Sequence, residues 1–182
     1  PFNVGSFGPL LAKLREYGLT DLEKNAIVTL AHTGNLYHNT RMRALNDNNY
    51  TLKAAKEIKY LMKSVRSSLS DPFSIVRCIY LELLLRHLSR PIKGVLPCTA
   101  ASGSCFIDPY GRVYPCIIVD EILGGLRETD YDLNKIIKAN KFTSFRSRIK
   151  KDFCTGCWSP CEAYPSIVAH PLLSFYKAFL GV

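Results

Sequence analysis

The chain has 182 residues, 47% of them hydrophobic, and a formal net charge of +9. That length buries one good core, or a core with a smaller satellite unit, so one or two domains are the bound. Arg77, Glu82 and Arg86 interrupt the longest apolar run and Pro171 the C-terminal one, which excludes a hydrophobic span and predicts a soluble chain with no membrane partner.

From the N-terminus, no charged segment followed by an apolar core marks a secretory signal, so a cytoplasmic setting is expected; because residue 1 is Pro1, an upstream segment is expected too. "PLLAKLREY" (9–17) reads as a short helix opened by Pro9 and stopped at Gly18. "AIVTLAH" (26–32) is a continuous apolar run with β-branched residues, the pattern of a buried strand. His32 ends it and Asn35 follows in the loop; a histidine satisfied at a strand end is favoured over a substrate group there. The stretch 51–69 places Ala55, Ile58, Met62, Val65 and Leu69 on one helical face, with Thr51 as the cap. Asp71-Pro72 opens a second helix running to Arg90, apolar around most of its circumference, with Glu82 and Arg86 as an i,i+4 pair.

Pro91, Gly94 and Pro97 then break regularity and form the expected boundary. Beyond it the sequence predicts a hairpin, a loop containing Gly124-Gly125, a helical region over 133–149, a cysteine cluster and a final amphipathic helix. Basic residues gather in two runs, Lys53 to Arg66 and Lys135 to Lys151. Both have near-helical spacing, so solvated helix faces are favoured over an RNA or anionic substrate surface.

Seven cysteines without a secretory signal favour metal ligation over a disulfide framework. Cys78 lies apart in an apolar helical pattern, where a thiol acts as a small hydrophobe. In "CTAASGSCFIDPYGRVYPC" (98–116), Asp108-Pro109-Tyr110-Gly111 fits a type I turn closed by a left-handed glycine. Phe106 then faces Tyr114 and Ser104 faces Cys116, so Cys105 projects to the opposite face of the ribbon from Cys116. The small-residue loop "TAASG" can bring Cys98 back beside Cys116. "CTGCWSPC" (154–161) supplies a compact chelating turn, for five candidate thiolates in all: Cys98, Cys116, Cys154, Cys157 and Cys161. Zinc held by four cysteines usually takes two Cys-x2-Cys knuckles and only one is present, so an iron-sulfur cluster is favoured over zinc.

These stretches, with "GGLRETDYDL" between them, resemble the C-terminal auxiliary-cluster region of radical SAM enzymes, the SPASM and shorter twitch domains. In their signature a cysteine precedes a spacer, a glycine, four residues, a second cysteine and later a Cys-x2-Cys; Cys98, Gly111, Cys116, Cys154 and Cys157 fit it. The resemblance implies one 4Fe-4S cluster, as in the twitch type, held by four of the five thiolates, with the first four preferred and Cys161 in reserve. It further implies an α+β architecture: residues 1–95 as the C-terminal end of a partial (β/α) barrel with linker helices, "AIVTLAH" being its last strand, and 96–182 as a hairpin-plus-helix auxiliary-cluster domain with a C-terminal helix. The CxxxCxxC loop that binds S-adenosylmethionine in that family is absent. The cofactor is therefore expected only with an upstream part, no catalytic residue is assigned, and a missing N-terminal radical SAM half is the implied partner. The cluster would transfer an electron or anchor a substrate, with a small molecule or peptide favoured over nucleic acid. The rival from another class is a basic, zinc-stabilised module for RNA or a protein partner, with Tyr110, Tyr114, Phe142, Phe145 and Trp158 as stacking surfaces.

Overall fold

The computed structural model describes residues 12–13, 15–18, 48–66, 71–89, 95–150 and 157–181. The expected strand at 26–32, with His32 and Asn35, lies outside them, as do Leu69, Arg90 and Cys154. Among the described residues the protein is α+β: helices with one small three-stranded antiparallel sheet. It divides into two compact units, one holding residues 48–66, 71–89 and 172–181, the other 95–150 and 157–171. Also in the first unit, residues 12–13 and 15–16 are helical and Gly18 ends the turn, with φ +78° and its amide donating to the Arg15 carbonyl at 2.9 Å.

In the first unit, α1 (Asn48–Arg66) packs on α2 (Pro72–Ser89). Ile58, Leu61, Met62 and Val65 form the buried stripe of α1, and Lys53, Lys56, Lys59, Lys63 and Arg66 stand in solvent, the solvated face expected of that basic run. Thr51 is not the cap, because α1 begins three residues earlier, at Asn48. The start of α2 follows the expectation: the Asp71 carboxylate accepts from the Phe73 amide at 3.2 Å and the Ser74 amide at 2.9 Å, and Pro72 takes the first helical position. Buried residues occupy much of its circumference, Cys78 among them, with the Arg66 guanidinium turned towards that thiol. Glu82 and Arg86 do not pair with each other. Glu82 accepts from Arg66 on α1, while Arg86 donates to the carbonyls of Gly181 and, at 3.2 Å, Ala178, closing the orphan acceptors at the end of the C-terminal helix. That helix buries small residues, Ser174 and Ala178, and turns Leu172, Phe175, Tyr176 and Leu180 outward.

The second unit is built on the hairpin of β1 (Phe106–Ile107) and β2 (Arg112–Tyr114), whose register, Phe106 opposite Tyr114, is the one the turn predicts. Gly111 has φ +83° and donates to the Asp108 carbonyl at 2.9 Å, the left-handed closure of the turn. The glycine pair predicted as loop is instead a third strand, β3 (Gly124–Gly125), antiparallel to β2. Glycine is needed because a Cβ at residue 124 would stand 2.8 Å from a methyl carbon of Ile136. The helical region beyond is two helices, α3 (Leu133–Lys138) and α4 (Asn140–Lys150), broken at Ala139, which is extended at ψ 149°. Ile136 from α3 and Phe142 and Phe145 from α4 join Val113 and Leu123 in one core, covering a single face of the sheet. The final helical region is likewise broken: α5 (Pro160–Ala169) ends at His170, and α6 (Pro171–Phe175) continues as a π-helical turn (Tyr176–Leu180).

Two measurements check this account. Alanine at Gly124 lowers stability by about 1–3 kcal/mol through overpacking; in an Ile136→Ala background the same change costs less, and a double-mutant cycle by chemical denaturation reads the difference. The Asp71 carboxyl titrates below its usual range because Ser74 and the Phe73 amide bind its charged form. Its contribution is therefore complete above the unfolded value of about 4 and is lost as pH falls through the depressed folded value. Asp71→Ala melts earlier than the parent at pH 7, and the gap between their melting points closes in acid.

Candidate metal centre

Residues 98–104 fold around one acceptor. The Thr99 carbonyl takes the amides of Ser102 at 2.9 Å, Gly103 at 2.7 Å and Ser104 at 3.3 Å. The Ala100 amide meanwhile donates to the Cys98 sulfur at 3.4 Å. Ala101 sits in the left-handed region at φ 56° and is fully buried; its amide reaches both Ser104 O at 2.9 Å and Pro115 O at 3.2 Å, and its carbonyl accepts from Arg146. The loop that follows Cys98 is thus stitched, through Ala101, to the residue just before Cys116.

Cys116 follows β2 at 4% exposure. Burial pushes its thiol up to about 12, against the pull of the Ile118 and Val119 amides on the sulfur; Glu162 and Cys157 add to the rise. At neutral pH such a thiol keeps its proton unless a cation takes the sulfur. Amides turned onto sulfur favour the thiolate, and a metal supplies the positive charge that the site lacks. The donor chemistry at Cys98 and Cys116 therefore fits thiolate ligation of a metal centre. Half-buried Cys157 bears on Cys116, whereas Cys161, in the first turn of α5, is exposed. Cys154 lies outside the described residues. No disulfide joins any two of the six described cysteines, and among the described residues no three His, Cys, Asp or Glu side chains close on a single-ion position.

Cys105 lies half-buried against the core of Val113, Leu123 and Ile136, on the face of the ribbon that alternation assigns it, and burial raises its thiol.

Sequence reasoning passed over a buried polar seam. Ser104 Oγ donates to Glu162 Oε2 at 2.7 Å, and the hydroxyls of Thr99 and Ser166 meet at 3.4 Å, tying the 98–104 loop to α5. The available signal, Ser159-x2-Glu162, has the form of a capping box, which reads as an exposed helix start. Here the Ser159 side chain makes no cap bond and Glu162 turns inward. Of the five aromatics offered as stacking surfaces, Tyr114, Phe142, Phe145 and Trp158 are buried and only Tyr110 is open to solvent. Arg146 and Arg148 lie over the Phe142 and Phe145 rings, each 5.2 Å from the centroid.

No helix among the described residues is long and apolar enough to cross a membrane. No curated protein and no solved structure matches the chain. A family does: residues 98–158 match SPASM, an iron-sulfur cluster-binding domain. The match begins at Cys98 and ends one residue past Cys157, spanning the hairpin that sorts Cys116 from Cys105, so this stretch of the chain is similar to a SPASM iron-sulfur cluster-binding domain.

Proposed function

We propose that this chain is the auxiliary-cluster region of a radical SAM protein and that Cys98, Cys116, Cys154 and Cys157 hold one 4Fe-4S cluster, with Cys161 as the alternative to one of them. The observation that carries the reading is Cys116: a buried thiol with two backbone amides on its sulfur, inside the SPASM match. When bound, such a cluster supplies one-electron transfer or, at an iron without a protein ligand, an anchor for substrate. The chain's own part is to strip water from Cys116, orient the sulfurs with amides and keep Cys105 on the other face of the ribbon. Burial and hydrogen bonds at the sulfurs are the levers by which a protein sets a cluster's potential. We further read residues 1–95 as the end of the barrel and 96–182 as the auxiliary domain of a cytoplasmic oxidoreductase, acting with an N-terminal radical SAM half on a small molecule or peptide. The zinc-stabilised RNA module finds little support, since most of its proposed stacking rings are inside the core.

Anaerobically purified protein should be brown, with iron and sulfide each near about four per chain. Alanine at Cys98, Cys116, Cys154 or Cys157 strips most of the iron, while Cys105→Ala and Cys78→Ala keep it; colourless protein with about one zinc per chain would sink the reading. The second expectation concerns S-adenosylmethionine, which chelates an iron left open by a three-cysteine CxxxCxxC loop. This chain has no such loop. Incubated anaerobically with dithionite and the cofactor, the loaded chain should yield no 5'-deoxyadenosine by chromatography, and multiple turnovers would refute the assignment.

A further inference from the structure

Ala101 has no exposed surface and stands in the left-handed region, at φ 56°. A residue other than glycine holds that conformation only where its neighbours impose it. Two of the bonds that do so come from the ribbon itself, since the Ala101 amide donates to Ser104 O at 2.9 Å and Pro115 O at 3.2 Å. The third comes from another element, because the Ala101 carbonyl accepts from Arg146 Nε on α4. Arg146 is itself held. Its guanidinium lies 5.2 Å from the centroid of the Phe142 ring, one helical turn earlier, and Phe142 is buried in the core. A planar guanidinium already resting on a ring gives up little freedom in grasping a carbonyl.

Both candidate ligands of the first cysteine pair border this residue. The Ala100 amide donates to Cys98 Sγ at 3.4 Å, and Pro115, which accepts from Ala101, immediately precedes Cys116. Without Arg146 the Ala101 carbonyl would be a buried acceptor with no donor, and the chain would turn it towards another partner. Leaving the left-handed region rotates the peptides on both sides of Ala101. One of them carries the bond to Pro115, and the Ala100 amide on Cys98 lies one residue before it.

We propose that Arg146 is a positioning residue of the thiolate site: its bond to the Ala101 carbonyl fixes the loop after Cys98 against Cys116 and so governs how firmly those two sulfurs hold an iron-sulfur centre. The inference rests on the cluster reading above. Ligands hold a metal through the partners that orient them, and losing such a partner weakens the hold by about ten- to a hundredfold. Arg146 acts through the backbone and needs no contact with a sulfur.

The test is the rate at which an iron chelator strips the anaerobically loaded full chain, with iron, sulfide and melting point measured alongside. Arg146→Met keeps a stem over the Phe142 ring and removes the donor; it should fold and release iron about ten- to a hundredfold faster than the parent. Arg146→Lys keeps a donor and a charge on that stem and should recover most of the parent's retention. Phe142→Leu removes the ring and leaves the donor, so it should melt earlier yet release iron at a rate nearer the parent's than that of Arg146→Met. A merely structural role would move melting point and iron release together in all three. Four results overturn the proposal: Arg146→Met releasing iron at the parent's rate; Arg146→Lys no better than Arg146→Met; Phe142→Leu releasing iron as fast as Arg146→Met, which makes core packing the cause; or an Arg146→Met chain that does not fold, which makes the bond a requirement of the fold. A parent chain that takes up no iron instead removes the cluster reading itself.

Discussion

The carboxylate of Asp108 closes the turn on which the second unit depends. It accepts from the amides of Tyr110 and Arg112, each at 2.9 Å, from the Arg112 guanidinium at 2.6 Å and from the Tyr114 hydroxyl at 3.3 Å. Those bonds, with the left-handed Gly111, leave the two strands one way to pair. In a ribbon a slip by one residue exchanges the two faces. With β1 held in place, Val113 would then leave the core and Cys116 would turn onto the face that Cys105 occupies. A charged side chain at an exposed turn therefore controls which sulfur the protein buries.

What the turn arranges, the surrounding backbone completes. The Thr99 carbonyl gathers three amides and so leaves the Ala100 amide free to turn onto Cys98, while Ala101 accepts a left-handed conformation in exchange for bonds on both sides of its peptide. An alanine in that region is strained by roughly 1–2 kcal/mol, which its two bonded neighbours and complete burial offset. Arg146 does double duty, covering the Phe142 ring and holding the Ala101 carbonyl, so the packing of α4 and the shape of the cysteine loop are set by one side chain.

Local chemistry was readable from the sequence and distant chemistry was not. Asp71-Pro72 and Asp108-Pro-Tyr-Gly act within a few residues of themselves, and the structure follows both. Thr51 failed as a cap because propensity alone cannot fix a helix start when the preceding residues also accept helix. The i,i+4 spacing of Glu82 and Arg86 gave way to partners on other elements, Arg66 and the C-terminal carbonyls, which no local pattern names. Gly124 looks like loop because the reason for its glycine, Ile136, is twelve residues away. Glu162 was hidden by a pattern that resembles a cap, and only the fold brings Ser104 to meet it.

β3 has a consequence for the solution behaviour of the domain. The sheet runs β1-β2-β3, and both outer strands are two residues long. An edge recruits a foreign strand by offering a row of unpaired amides and carbonyls, and two residues offer almost none. The glycines of β3 also lack side chains that could pack in a stacked sheet, and Ile136 already fills the space above the first of them. A hairpin laid down to present cysteines is thereby kept from templating its own aggregation.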